Sequence, residues 1–120
     1  MGLFTRRSKQ TGQSGAKPSR REAQATSDAL AEWVANRRGV EVYVEPKTAV
    51  TENSVLLVAH DGEFTRRRVP SPDVARTFAR KHGLPIYDAT VVGYPQRMRD
   101  YSRRETIQRQ RELRKALDEG

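Results

Sequence analysis

Residues 54–69, SVLLVAHDGEFTRRRV, restrict the fold of this chain more than any other stretch. SVLLVAH is apolar at consecutive positions, so it reads as a central strand covered on both faces. Asp61-Gly62 is a two-residue hairpin signal, because a type I′ turn needs φ > 0 at both positions. EFTRRRV then returns as an antiparallel strand. A two-residue loop sets Val58 against Thr65, Leu57 against Arg66, Leu56 against Arg67 and Val55 against Arg68. Strand neighbours point to opposite faces, so Arg66 and Arg68 share the face of Phe64 while Arg67 takes the other. An unpaired buried charge costs several kcal/mol. Three arginines in one strand therefore place it at an edge of the sheet or near a rim.

The flanking segments supply the rest of an α+β domain. In residues 40–46, VEVYVEP, the valines alternate with Glu41, Tyr43 and Glu45, which reads as a half-buried strand closed by proline. Upstream, Ser27 as N-cap, Asp28 in the first turn, and Leu30, Trp33 and Val34 at helical spacing predict a helix ending at Gly39; REAQA offers an earlier start. Downstream, SPDVARTFARKHG has Ser71 as cap, Pro72 at the first position, Asp73 against the dipole and Gly83 as stop. A short fourth strand is expected near Ile86–Tyr87 or residues 90–92. Pro95 then opens a final helix in which Met98 and Tyr101 can dock and the remainder is polar all round. The expected fold is a small antiparallel sheet of three to four strands with helices packed on it, in the order α-β-β-β-α-β-α.

Charge divides the chain into three parts. Residues 1–21 hold six basic groups and no acidic one. Residues 22–94 hold nine basic and ten acidic groups, and residues 95–120 hold eight and five, which accounts for the net +8. Hydrophobic residues make up 35% and charged residues 32%, lean for a fully packed globule of 120 residues. The reading is a disordered basic arm over 1–23, a compact domain over 24–100, and a basic C-terminal helix over 101–120 that projects or frays.

Several chemistries are excluded or unsupported. There is no cysteine, hence no thiol or disulfide chemistry. No His, Asp and Glu residues recur at metal-ligand spacing, and no serine sits in a nucleophile elbow. HDG and VGYP match neither a dinucleotide fingerprint nor a P-loop. His60 and His82 read as a turn residue and a helix-end residue. No cofactor is expected, and the chain is not expected to be an enzyme. No apolar run reaches the roughly 20 residues of a membrane helix. MGLFTR resembles a myristoylation start, with Arg6 where Ser or Thr is needed. A soluble, cytoplasmic protein is expected.

Basic arms around a near-neutral centre suit a polyanion partner. The expected nucleic-acid contacts are Arg66, Arg68, Arg76, Arg80 and Lys81, with Arg37 and Arg38 at the end of the first helix. Tyr43 and Phe64 are candidates to stack on bases. Arg6, Arg7, Lys9, Arg20 and Arg21 serve from the arm. RNA or the ribosome stands slightly ahead of DNA. The alternative for Arg66 and Arg68 is cross-strand pairing with Glu41 and Glu45. The alternative function is a protein-binding adaptor acting through the C-terminal helix, and a small enzyme comes third.

The order helix, strand, strand, strand, helix resembles the double-stranded-RNA-binding domain; that family begins its second helix with lysines, and SPDVARTF has none. VAHDGEFTRRRVPSPDVARTFARKHG resembles the strand–turn–strand–helix of integrase-type N-terminal DNA-binding domains, whose sheet lies in the major groove. VYVEPKTAV, DGEFTRRRVPSP and VGYPQRMRDY together resemble a family of short basic proteins of high-GC Gram-positive bacteria. That family is loosely associated with an oxidoreductase label, for which no motif here supplies the chemistry.

Overall fold

Alternation along Glu41–Glu45 (β1) and apolarity on both sides of Ser54–Val58 (β2) give a sheet with two buried faces. The computed structural model describes residues 19–119. The predicted arm residues Arg6, Arg7 and Lys9 lie outside them. The remaining elements are helices Arg20–Ala35 (α1), Pro72–Lys81 (α2), Ala89–Val92 (α3) and Gln96–Glu119 (α4), with strands Phe64–Arg68 (β3) and Ile86–Asp88 (β4). The fold is α+β, in the expected order with α3 as one added turn.

The sheet runs β3-β2-β1-β4. Both β2–β1 and β2–β3 are antiparallel, whereas β4 pairs parallel with β1, so the sheet is mixed rather than antiparallel. On one face α1 and α2 bury Leu30, Ala75, Phe78 and Ala79 against Val42, Val44, Val55 and Leu57. On the other face Tyr43, Leu56 and Val58 pack with Ala89, Phe64 and Met98. β2 is thus an interior strand covered on both faces, as is β1. β3 is an edge strand, one of the two placements its three arginines allow.

The hairpin register differs by one residue from the expected one. Val58 pairs with Phe64, Leu56 with Arg66 and Ser54 with Arg68. Asp61 does not have positive φ; only Gly62 does, at 95°. The Gly62 amide donates to the Ala59 carbonyl and the Ala59 amide to that of Glu63. The loop is therefore three residues long, a turn closed by a left-handed glycine, which is the next commonest hairpin solution.

The first helix begins at Arg20, four residues upstream of the expected domain boundary. Ser19 and Glu22 form a reciprocal capping box, and Ser27 and Asp28 lie within the helix. The S-x-x-E spacing satisfies two end amides at once and outweighs a lone serine further on.

α4 crosses the second face of the sheet and leaves it. Arg97 Nε donates to the Ala59 carbonyl at 2.9 Å and Nη2 to Glu41 at 2.6 Å. Tyr101 meets Phe64 edge-on at 6.5 Å between centroids. From Ser102 to Glu119 every residue is exposed, and the molecule reaches 71 Å along its longest axis.

Candidate polyanion-binding surface

Glu41, Tyr43 and Glu45 all point to the α4 side of the sheet, because β1 alternates. Each is held by a neighbour. Glu41 accepts from Arg97 and from the Tyr43 hydroxyl at 2.8 Å. Glu45 is the hub of a larger network. Its Oε1 accepts from Ser54 Oγ at 2.7 Å and from Arg66 Nε at 2.8 Å. Its Oε2 accepts from Arg66 Nη2 at 2.9 Å and from the Tyr94 hydroxyl. The Arg66–Glu45 contact is bidentate, the strongest geometry for such a pair.

Burial acts to raise the Glu45 carboxyl. The bonds from Arg66, Tyr94 and Ser54 outweigh it and hold the group below the usual carboxylate range. Glu41 follows the same pattern, with burial opposed by Arg97 and Tyr43. The Tyr43 phenol is pushed up to about 12, first by burial and then by its bond to Glu41. A carboxylate with a depressed folded-state pKa stabilises the fold above its unfolded pKa and loses that contribution as pH falls through the folded value. The unfolding midpoint is therefore expected to drop as pH falls below about 4.5, the ordinary glutamate range. Glu45→Gln should flatten that drop in melts recorded across acid pH. An unchanged acid limb would place the titrating groups elsewhere.

Beside this network lies a cleft of ≈ 840 Å³, walled by the loop after β1, by Arg66 and Arg68 on β3, and by Thr90 and Tyr94. The two arginines on this wall differ. Arg66 is committed to Glu45, whereas Arg68 is exposed and makes no ion pair among the described residues. Arg68 also borders the first turns of α1, near Glu22, Ala25 and Thr26. Arg20 and Arg21 share a second groove with Lys81, between α1 and the end of α2. Arg68 thus borders α1 in one groove, together with Glu22 and Glu52, while Arg20 and Arg21 border Lys81 in another.

The other predicted contacts are placed differently. Arg66 and Arg68 do not form one patch with Arg76 and Arg80. α2 covers the opposite face of the sheet, and Arg76 pairs with Asp73 at 3.0 Å. Arg76 also helps to lower the Asp88 carboxyl, after the larger effects of the Thr90 hydrogen bonds. Asp88 is on β4, the far edge, three strand spacings or about 14 Å from β3. Arg37 is a structural group: Nη2 binds Glu63 at 2.7 Å, Nη1 the Trp33 carbonyl at 2.9 Å, and the guanidinium lies 4.1 Å over the Trp33 ring. Arg38, Arg80 and Lys81 are exposed.

Neither Tyr43 nor Phe64 is open to stack on a base. Tyr43 is 5% exposed against Tyr87, and Phe64 packs on Met98 and Tyr101. The exposed aromatic at the cleft is Tyr94, which is not among the residues expected from the sequence. Its signal is the spacing of Gly93 and Pro95, which forces the chain to turn beside β1.

Among the described residues no helix is long and apolar enough to cross a membrane, and no cluster of His, Asp or Glu is suited to a metal ion. No protein family, curated protein or solved structure matches this chain.

Proposed function

We propose that the chain binds nucleic acid, RNA ahead of DNA, through the end of the domain where its basic N-terminal segment enters. The observation that carries this reading is that two grooves border the start of α1, one lined by Arg68 and the other by Arg20, Arg21 and Lys81. Residues 1–18 add Arg6, Arg7, Lys9 and Lys17 with no acidic group. A phosphate backbone is drawn to such a surface by counterion release, without base readout. The preference for RNA rests on α1 and α2 lying together on one face of the β1-β2-β3 meander, the element order of double-stranded-RNA-binding domains. The cleft beside Arg68 offers Tyr94 as a single aromatic for a splayed base.

Deleting residues 1–18 is the test, read by fluorescence anisotropy on single- and double-stranded RNA over a salt series. Each phosphate that the shortened chain no longer neutralises should lower the slope of log K against log salt by roughly 0.7–0.9. An unchanged slope removes the segment from the reading.

A second reading, a protein adaptor, is favoured by the exposure of α4 beyond Tyr101, with Ile107, Leu113 and Leu117 at 41%, 61% and 72%. A helix of this kind docks by its few apolar groups. If nuclease treatment strips every co-purifying protein, the adaptor reading fails.

A further inference from the structure

Beyond Ser102, α4 is exposed at every position, so its sequence maps directly onto a surface. The charges on that surface are sorted. At about 100° per residue, Arg103, Arg104, Ile107, Arg111, Arg114 and Lys115 fall within one arc of about 120°. Five of these six are cations, and no other residue between 103 and 115 shares the arc. The two acids of the same span, Glu105 and Glu112, lie on the other side of the helix, where they flank Arg109. Among the described residues Arg104, Arg111, Arg114 and Lys115 make no ion pair, and Arg103 comes no nearer than 3.7 Å to Asp100. Arg104 donates instead to the Asp61 carbonyl at 2.9 Å. Arg111 stands three residues from Arg114 and four from Lys115, spacings at which like charges weaken a helix. Helix stability alone would alternate the signs.

We propose that this arc is a second contact for the phosphate backbone of RNA, with α4 lying along it. The inference rests on the nucleic-acid reading and adds a site to it, on a different element from the grooves at α1. Charge complementarity selects the occupant. From Arg103 to Lys115 the cations span about 18 Å of helix axis. A duplex at the charge density of DNA presents about ten phosphates over that length. The apolar side chains do not favour a protein groove or a lipid surface, because Ile107 stands about 120° around the axis from Leu113 and the helix has no single apolar stripe. A backbone contact needs none. Phosphates set among these cations also relieve their mutual repulsion, so bound RNA should slow amide exchange across residues 103–115.

Two single-charge variants, two residues apart, separate this face from net charge when read by fluorescence anisotropy of the full chain on double-stranded RNA over a salt series. Arg111→Gln removes a cation from the arc and should lower the slope of log K against log salt by roughly 0.7–0.9, whereas Arg109→Gln should leave it unchanged. Arg111→Gln, Arg114→Gln and Lys115→Gln together should lower it by about 2–3 at an unchanged melting temperature, all three side chains being exposed. Equal slopes from Arg109→Gln and Arg111→Gln, or an unchanged slope in the triple variant, would overturn the proposal, while binding by the wild type leaves the nucleic-acid reading standing. A wild type that binds no RNA overturns both. Tighter binding to phosphatidylserine vesicles than to RNA, lost in the triple variant, would assign the arc to a membrane surface instead.

Discussion

Gly62→Ala is expected to lift α4 off the sheet and lower the melting temperature by about 15 °C. A Cβ at this position would stand 2.0 Å from the Arg97 carbonyl oxygen and 2.7 Å from its carbon. Both are backbone atoms, so no side-chain rotation relieves the clash. The residue also has φ 95°, which costs an alanine about 1–2 kcal/mol by itself. Relief requires the first turn of α4 to move. That movement breaks the Arg97 bonds to Ala59 and Glu41 and uncovers Phe64 where Met98 and Tyr101 pack. Together these effects come to about 3 kcal/mol, and each kcal/mol lowers the midpoint of a domain this size by about 4–8 °C. Gly39→Ala is the comparison. Its φ is 61° and its Cβ would meet the His60 Cβ at 3.0 Å, a contact that small adjustments relieve. It should cost about 1 kcal/mol. Thermal melts of the two variants, with hydrogen exchange along residues 96–104, decide the matter. Equal costs would mean that backbone conformation, not the approach of α4, makes Gly62 necessary.

The approach of α4 to Gly62 shows where local signals stop. α2 is legible in Ser71, Pro72 and Gly83 because cap, proline and stop act within a few residues. The same holds for β1, where the alternation of valines with Glu41, Tyr43 and Glu45 needs no distant partner. The hairpin register is ambiguous by one because Asp61-Gly62 fits more than one turn. The start of α1 is legible in S-R-R-E, but the apolar spacing that begins at Leu30 competes with it. Parallel pairing of β4 with β1 depends on a contact across more than forty residues, which no local pattern encodes. Nothing in β1 or β3 reveals that α4 returns over Tyr43 and Phe64, so both look open in sequence. Met98 and Tyr101 are legible as docking residues; the surface they cover is not. Arg66 and Arg68, two positions apart on one face, look equivalent, and only the position of Glu45 separates them.

Separate substitution of these two arginines is expected to divide stability from binding. Arg66 holds both carboxylate oxygens of Glu45, whose side chain is 14% exposed, while its own is 49% exposed. Arg66→Gln leaves that carboxylate with Ser54 and Tyr94 but without its counter-charge. Half of the guanidinium side chain is already in water, so the cost is discounted to about 1 kcal/mol. The melting temperature should fall by about 5 °C. Affinity for RNA should change little, since this fork is already filled. Arg68→Gln should do the reverse. The side chain is exposed at the edge beside the start of α1, where surface changes usually stay within about 0.5 kcal/mol of stability. If it contacts a phosphate, its removal weakens binding to all sequences alike and lowers the salt slope by about 1. Melting curves and salt-dependent anisotropy on the two single variants supply both readouts. Should Arg66→Gln weaken binding as much as Arg68→Gln at unchanged stability, the pair with Glu45 opens when nucleic acid binds. Should neither variant move the salt slope, the arginines of β3 only keep that edge from pairing with another strand, and any phosphate contacts belong to α1, α2, α4 and the N-terminal segment.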